Sequence, residues 1–182
     1  MSRLVLGLTG MPGSGKSVVA EFLGKNGFRI FEMGDVIRGM MRKKRIVITN
    51  HSLREFSLDL RKKYGNDIVA KESVKQIKKL KGNVVISGVR SINEMKYFKK
   101  SMPEIVLVAI VAPKHTRFMR LKKRRRTDDP KTLKEFDYRE EKERAYGIPR
   151  AVKIADLIVS NSGTVRELKK NIEFALRELA KD

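Results

Sequence analysis

The feature that most constrains this chain is a glycine-rich motif near its amino terminus. Residues 10–17 read Gly-Met-Pro-Gly-Ser-Gly-Lys-Ser and satisfy the pattern G-x-x-x-x-G-K-[ST]. A short apolar run at residues 4–9 precedes the motif, and a helical pattern starts at Lys16. The order strand, glycine-rich loop, helix is the context in which this motif folds into a phosphate-binding loop.

The residue types of the loop indicate which groups would bind phosphate. Glycines allow several backbone N–H groups to point at one phosphate, and the N-terminus of the following helix adds partial positive charge. We expect Lys16 to reach the β- and γ-phosphates and the Ser17 hydroxyl to ligate Mg²⁺. The loop therefore predicts a nucleoside triphosphate site whose binding residues are Gly13, Ser14, Gly15, Lys16 and Ser17.

Short apolar runs alternate with helical patterns along the rest of the chain. They predict strands at residues 4–9, 28–31, 83–87, 105–111 and 156–159. This alternation predicts an α/β fold in which helices flank a parallel sheet. A Ser or Thr followed three residues later by Glu predicts helix starts at Ser52, Ser91, Thr132 and Thr164.

The length of the chain predicts a single domain. Its 182 residues are enough for one hydrophobic core and too few for two domains of ordinary size. Two segments interrupt the alternation of strands and helices and are expected to be insertions above the sheet. Residues 34–81 are helical throughout, and residues 113–149 are basic first and acidic later. The predicted core consists of residues 1–33, 82–112 and 150–182.

Composition excludes several classes of protein. Forty-two lysines and arginines against 21 acidic residues give a net charge of +21, which favours an anionic partner. The absence of cysteine excludes disulfides and thiolate chemistry, and two histidines leave metal binding to oxygen ligands. We find no run of 18 apolar residues and no secretory signal, so we expect no membrane span and a cytoplasmic location.

Further segments match the motifs of a known family. Residues 33–38 read Met-Gly-Asp-Val-Ile-Arg, residues 87–91 read Ser-Gly-Val-Arg-Ser, and an arginine-rich stretch ends in Arg-Thr-Asp-Asp at residues 126–129. With these segments the chain resembles the P-loop nucleoside monophosphate kinases over nearly its whole length, and among them the archaeal adenylate-kinase-related proteins. The resemblance implies a five-stranded parallel sheet of order 2-3-1-4-5, with an acceptor-binding insertion at residues 34–81 and a lid at residues 113–149. It also implies transfer of the γ-phosphoryl group of ATP to AMP or a related nucleotide with Mg²⁺.

The resemblance implies two arginines that hold the phosphate of the acceptor. They match Arg38 and Arg90, which stand in the same motifs as Gly34 and Gly88. A planar guanidinium binds phosphate in a bidentate manner, and Arg90 follows a predicted strand end, where ligands of α/β proteins bind. Two interpretations of Asp35 stay open: it caps the N-terminus of a helix, or it faces the transferred phosphoryl group or the metal as a catalytic residue.

The basic stretch at residues 114–126 contains eight lysines and arginines. The resemblance implies a lid in which Arg124 and Arg126 close over the transferred phosphoryl group, Arg120 contacts the nucleotide, and Arg139 is a further lid arginine. Cations that close over phosphoryl oxygens stabilise the charge of the transition state. The alternatives are a solvated basic face and a surface that binds nucleic acid.

The turn after the last predicted strand contains Asn161. In relatives this turn lies against the adenine of the nucleotide, so the resemblance implies a nucleotide contact at Asn161. The alternative is a plain turn followed by the cap at Thr164.

One position departs from the resemblance. Kinases of the family carry an aspartate immediately before the glycine of the strand-end motif, whereas this chain has Ser87. Magnesium prefers charged oxygen ligands, so the loss of a carboxylate near the metal predicts loose metal positioning and weak transfer activity.

Two other functions stay open at this point. The opening Leu-Thr-Gly and the late Asn-Ser-Gly segments also resemble dephospho-CoA kinases, which differ in the acceptor. The net charge and the missing aspartate favour a nucleotide-dependent factor that binds RNA or the ribosome, with counterion release as the driving force. An aromatic fraction of 7% offers few stacking platforms for RNA, so nucleic acid is the secondary alternative. The identity of the acceptor and the oligomeric state stay open.

Overall fold

The computed structural model describes residues 3–124 and 129–179. Within these residues, five parallel strands form one sheet of order β2-β3-β1-β4-β5. The strands are β1 (Val5–Thr9), β2 (Arg29–Glu32), β3 (Val84–Ser87), β4 (Ile105–Val111) and β5 (Leu157–Ser160). The fold class and the strand order are as predicted, and each predicted strand boundary lies within one residue of the observed one.

Helices cover both faces of the sheet. The described residues contain α1 (Lys16–Lys25), α2 (Met33–Lys43), α3 (Asn50–Tyr64), α4 (Ile68–Ile77), α5 (Ile92–Ser101), α6 (Lys114–Arg124), α7 (Leu133–Tyr146), α8 (Ile148–Lys153) and α9 (Val165–Leu179). None of these helices has both the length and the apolar character needed to cross a membrane.

The side chains of the strands alternate between two apolar layers, as the period of two residues requires. Leu6, Leu8 and Val85 face the layer that contains α1 and α9. Val5 and Ile86 face the other layer, which contains α2, α4 and α5. Both faces of the sheet are therefore buried, which explains why its strands are continuous apolar runs rather than alternating ones.

The segment at residues 34–81 differs from the expected insertion above the sheet. Ile37 and Met41 of α2, together with Val74 and Ile77 of α4, belong to the same buried cluster as the strand residues. Both helices therefore form part of the core. The division into core, acceptor-binding insertion and lid remains a prediction.

Three of the four predicted helix caps are observed. The side chains of Ser91, Thr132 and Thr164 each accept a hydrogen bond from the backbone N–H three residues later. The prediction at Ser52 is wrong, because Thr49 is the N-cap of α3 and Ser52 is its partner in the capping box. Serine replaces the usual glutamate at that position, so the spacing rule selected the wrong residue.

A buried ion pair connects α6 to α7. Arg117 contacts both carboxylate oxygens of Glu140, and both side chains are buried. Arg117 also donates to the carbonyl oxygens of Ala112 at 3.0 Å and Pro12 at 3.2 Å. The pair therefore joins the segment predicted as a lid to the glycine-rich loop.

We expect Glu140→Ala to lower the free energy of unfolding by about 3–5 kcal/mol, because it leaves the Arg117 charge buried without its carboxylate. Unfolding in urea, followed by circular dichroism, measures the change. The control is Glu141→Ala, which removes the same charge from the exposed face of α7 and is expected to change stability by about 0.5 kcal/mol or less. Equal stability of the two variants would contradict a structural role for the pair.

Candidate functional site

The glycine-rich loop connects the end of β1 to the N-terminus of α1. Gly10 has φ of 141° and Gly13 has φ of 77°, values that side chains rarely allow. A Cβ atom at Gly10 would lie 2.3 Å from the carbonyl oxygen of Ile110, and one at Gly13 would lie 2.6 Å from that of Arg117. Only glycine fits these positions, so the loop can wrap closely around a phosphate group.

Lys16 is folded back into the loop. Its Nζ donates to the carbonyl oxygens of Gly10 at 2.6 Å and Met11 at 3.1 Å. Burial lowers the pKa of Lys16 to about 8, and the nearby Glu143 carboxylate offsets part of that effect. Lys16 is thus held by weak acceptors that a phosphate can replace.

A cavity of about 490 Å³ opens in front of the loop, and we name it the donor cavity after the role predicted for the loop. The structure brings together in its wall most of the residues predicted to bind nucleotide, namely Gly13, Gly15, Lys16, Ser17, Arg120 and Asn161. Arg124, predicted as a catalytic arginine of the lid, lies in the same wall. Ser14 is not in this wall. Its hydroxyl is buried without a hydrogen-bond partner among the described residues.

Arg120 and Asn161 hold the turn after β5 against the loop. Arg120 donates to the carbonyl oxygen of Asn161 at 2.9 Å, to its Oδ1 at 3.1 Å and to the carbonyl oxygen of Gly163 at 2.9 Å. Asn161 Nδ2 in turn donates to the carbonyl oxygen of Ser14 at 2.7 Å. Both residues therefore have a structural role that the sequence did not indicate, and their contact with a nucleotide remains a prediction.

Two predicted lid arginines share one buried carboxylate. Arg124 donates to both oxygens of Asp129, the Nε contact being 2.9 Å, and Arg139 Nη1 lies 3.7 Å from Asp129 Oδ1. Asp129 orients both arginines; it stands in a segment that carries the resemblance, but the sequence analysis gave it no role. Arg126, predicted as a catalytic residue, lies outside the described residues.

A second cavity of about 390 Å³, the acceptor cavity, lies between the ends of β2 and β3 and the helices α2, α3 and α7. Its wall contains the four predicted acceptor residues Gly34, Arg38, Gly88 and Arg90. Further basic residues in the wall, which no motif had indicated, are His51, Arg54, Arg61 and Lys142.

Arg90 is fixed from several directions. Its backbone N–H donates to Glu94 Oε2 at 2.8 Å, and Glu94 also accepts a hydrogen bond from Arg61 at 2.9 Å. The Arg90 guanidinium lies 5.6 Å from the Tyr146 ring centre, and its Nε is 3.7 Å from Glu143 Oε2. Glu143 is the main reason why the pKa of Arg90 is raised above its usual value. The side chain is therefore held in its charged form at the cavity wall.

The structure corrects the interpretation of Asp35. The N-cap of α2 is Glu32, so the predicted capping role of Asp35 is wrong. The Asp35 side chain is 65% exposed, lies 3.4 Å from Arg38 Nε and is absent from the walls of both cavities. A role facing the phosphoryl group or the metal remains a prediction that this position does not support.

Six residues line both cavities and mark the place where they meet. They are Glu32, Ser87, Gly88, Arg90, Arg139 and Glu143. The sequence analysis missed the two glutamates. The position of Glu32 at the end of a predicted strand offered a signal, whereas nothing in the sequence connected Glu143 of α7 with the loop.

The residues near the loop fit a magnesium ion that is held mainly by phosphate and water. Ser17, Glu32 and Ser87 contribute oxygen atoms to the same cavity wall, and oxygen is the ligand that Mg²⁺ prefers. Among the described residues we find no cluster of three or more His, Cys, Asp or Glu side chains that could bind a metal alone. The nucleotide phosphates would have to complete the coordination.

Comparisons with known proteins agree with this fold. Residues 6–146 match a family model described as an AAA domain. A UPF0200 protein of Staphylothermus marinus is 36% identical over 179 residues, which cover 98% of this chain and 94% of the relative. A UPF0200 protein of Pyrococcus furiosus is 43% identical over 175 residues, with coverages of 93% and 94%.

Solved structures show the same architecture at low sequence identity. TT1252 from Thermus thermophilus has a TM-score of 0.69 at 20% identity and covers 98% of this chain and 99% of its own. Shikimate kinase from Acinetobacter baumannii in complex with shikimate has a TM-score of 0.61 at 16% identity, with coverages of 97% and 94%. A gluconokinase from Sinorhizobium meliloti has a TM-score of 0.59 at 17% identity, with coverages of 99% and 96%. The chain thus has a P-loop kinase-like fold, and its relation to adenylate kinases remains a prediction.

The lowered pKa of Lys16 predicts a pH-dependent affinity for nucleotide. Because this pKa is about 8 in the free protein, Lys16 is charged at pH 7 and loses its charge as the pH rises through 8. A bound phosphate favours the charged form, so we expect the affinity for ADP to fall about tenfold from pH 7 to pH 9. Calorimetric titration with ADP at several pH values measures this affinity. The control Lys16→Arg keeps its charge and should give a flatter profile; a flat profile for the native protein would contradict the lowered pKa.

Proposed function

We propose that this chain, which belongs to the UPF0200 family, is a phosphotransferase that moves the γ-phosphoryl group of ATP to AMP or a related nucleotide. The observation that carries this proposal is the meeting of the two cavities. The donor cavity contains the glycine-rich loop, the acceptor cavity contains Arg38, and both include Arg90 and Arg139 in their walls. A phosphoryl group between the cavities would be reached by arginines from both sides.

On the donor side, the loop amides and Lys16 would hold the triphosphate of ATP. Lys16 would exchange its two carbonyl acceptors for phosphate oxygens, which form stronger, charge-assisted hydrogen bonds. The Ser17 hydroxyl would ligate Mg²⁺, which supplies charge neutralisation between the β- and γ-phosphates when it is bound. ATP is available in the cytoplasm, where we place the reaction.

On the acceptor side, the wall favours an anion that also has a flat or apolar part. Six arginines and lysines face three glutamates in this wall, so the cavity has an excess of positive charge. Ile37, Leu53, Leu58, Tyr138 and Tyr146 add apolar and aromatic surface. A nucleoside monophosphate combines both properties, with its phosphate between Arg38 and Arg90 and its base against the apolar surface.

Positioning and electrostatics would supply most of the catalysis. Arg139 lies at the meeting point of the cavities, and Asp129 orients both Arg139 and Arg124. Preoriented guanidinium groups stabilise charge on the transferred phosphoryl oxygens without reorganisation during the reaction. Arg126 stays in the proposed lid by sequence resemblance alone.

Dephospho-CoA is the alternative acceptor, because it is also a phosphorylated adenine compound and the same cavity charge would attract it. In that case the nucleophile is a ribose hydroxyl rather than a phosphate oxygen. A panel of AMP, CMP, GMP, UMP and dephospho-CoA, each incubated with radiolabelled ATP and Mg²⁺, distinguishes the two acceptors by which compound receives the label.

We expect transfer to at least one member of that panel and no transfer by Lys16→Ala, which removes the cation that contacts the β- and γ-phosphates. The far-ultraviolet circular dichroism of the variant should match that of the native protein. Equal turnover by Lys16→Ala would contradict the assignment of the donor cavity, and no transfer to any acceptor by the native protein would contradict the proposed function.

A second candidate function is the binding of nucleic acid, and one surface favours it. An open groove between α4 and α5 contains Lys71, Lys96 and Lys100 together with Asn66 and Tyr97. Asp67 is the acidic residue of its wall. RNA affinity measured across a salt series tests this candidate: a steep loss with salt in the native protein, reduced in Lys96→Ala/Lys100→Ala, would support it.

The acceptor assignment makes a separate prediction for binding. Replacing Arg38 or Arg90 by alanine should weaken AMP binding by about 1.5–3 kcal/mol, the usual contribution of a hydrogen bond to a charged group. Calorimetry at constant salt measures the affinity. Arg42→Ala is the matched control, because Arg42 lies on the same helix as Arg38 but is exposed and outside both cavities. If both the Arg38 and the Arg90 variants bind AMP as tightly as the native protein, the acceptor phosphate binds elsewhere.

A further inference from the structure

The serine at position 87 leaves the predicted metal site without its expected carboxylate, but the neighbouring strand brings another one to the same place. β2 and β3 are parallel neighbours, and Glu32 is paired in register with Ser87. Each is the last residue of its strand. Adjacent strands are about 4.8 Å apart, so the backbone of Glu32 lies one strand away from the position of the missing aspartate.

Glu32 is not engaged elsewhere in the described part of the chain. It is the N-cap residue of α2, yet its side chain makes no capping hydrogen bond. We find no hydrogen bond or ion pair of its carboxylate with any described residue, although the side chain is only half-exposed. It lines the donor cavity together with Lys16 and Ser17. A carboxylate in such a position is available to a cation that a ligand brings into the cavity.

The other carboxylates near the loop are less suited to a metal. Asp35 is exposed, paired with Arg38 and outside both cavities. Glu143 lies 3.7 Å from Arg90 and is the main cause of the raised pKa of that arginine. Glu21 lines the donor cavity but is exposed, one turn along α1 from Ser17. Glu32 is therefore the half-buried carboxylate at this place that forms no ion pair with a described arginine or lysine, although its charge contributes to the raised pKa of Arg90.

We propose that Glu32 supplies the metal-facing carboxylate of this site and holds a divalent cation, directly or through a bound water, on the nucleotide phosphates. This inference rests on the proposed function and deepens it. Ser17 would be the other protein ligand, and Ser87 would hydrogen-bond to a water of the metal. The carboxylate has moved from β3 to β2, so the weak metal positioning expected from Ser87 does not follow.

The test measures metal affinity rather than turnover. Mn²⁺ is titrated into the native protein saturated with ADP, and free Mn²⁺ is followed by electron paramagnetic resonance. We expect Glu32→Gln to weaken Mn²⁺ affinity in this complex at least tenfold, the usual effect of losing a carboxylate that orients a metal site. The affinity for ADP without metal should stay the same or increase. The matched control is Glu104→Gln, which removes the same charge at an exposed position directly before β4, at the opposite edge of the sheet.

Moving the charge back to β3 makes the test specific. The double variant Glu32→Gln/Ser87→Asp should recover most of the Mn²⁺ affinity, because it restores one carboxylate beside Ser17. Ser87→Asp alone should not tighten binding, because two carboxylates on adjacent strand ends repel each other. Circular dichroism checks that each variant folds. If the double variant does not fold, Glu32→Asp takes its place: it keeps the carboxylate and should bind Mn²⁺ more tightly than Glu32→Gln.

The outcomes separate this inference from the proposed function. Native Mn²⁺ affinity in Glu32→Gln, or an equal loss in Glu104→Gln, would overturn the assignment of Glu32 while leaving the phosphotransferase intact. A tenfold loss in Glu32→Gln, in a protein that binds Mn²⁺·ADP but transfers phosphate to no acceptor, would support Glu32 and overturn the proposed function. A native protein that binds no nucleotide would overturn both.

Discussion

The parallel direction of the strands is the constraint on which the rest of the site depends. β1 is paired in parallel with β3 and β4, and β2 with β3, so Thr9, Glu32 and Ser87 end their strands at the same edge of the sheet. The backbone leaves regular structure at that edge, where glycine conformations and free N–H groups become available to a ligand. The loop, Glu32 and Arg90 meet because of this topology, although they are up to 80 residues apart in the chain.

Carboxylates organise a site whose chain is dominated by cations. Glu94 fixes the backbone of Arg90 and contacts Arg61, Asp129 joins Arg124 to Arg139, and Glu140 holds Arg117 beneath the loop. Each of these acids is buried. Arginines in a flexible basic segment would repel one another, whereas arginines paired with buried acids have defined positions and still present N–H groups to a cavity. The positions of the arginines around the cavities therefore depend on a few acidic residues rather than on the net charge of +21.

The sequence predicted the parts of this molecule that depend on local pattern. The five strands, the loop and the caps at Ser91, Thr132 and Thr164 follow from short-range rules of burial, backbone geometry and hydrogen bonding. Arg38 and Arg90 were singled out by the resemblance, because each stands in a compact family motif, and the resemblance also implied that both belong to one site. A predicted strand end supported Arg90 independently.

The missed features depend on how the elements pack. Glu143 contacts Arg90, which is distant in the chain, whereas Asp129 contacts the nearby Arg124 and Arg139. A local pattern does not show which acids of such a chain will lie beside an arginine. Asp35 and Ser52 were wrongly predicted as N-caps, because each fits a local rule for a position that a neighbouring residue occupies. The N-cap position of α2 is Glu32, and that of α3 is Thr49. Competition between adjacent residues for one structural position is decided by backbone conformation, which a spacing pattern does not contain.

Helix α7, which contributes residues to the walls of both cavities, is attached in an unusual way for an element of this length. α7 has 14 residues, of which Phe136 and Glu140 are the buried ones, and its further contacts include the ion pairs of Lys114 with Asp137 and of Arg139 with Asp129. The cost of removing charged groups from water falls as temperature rises, whereas the stabilisation from apolar burial levels off. Heating should therefore weaken the attachment of α7 less than a purely apolar attachment of the same size. The helix would keep its position at the cavity walls at temperatures where an apolar contact of two or three side chains would already be lost.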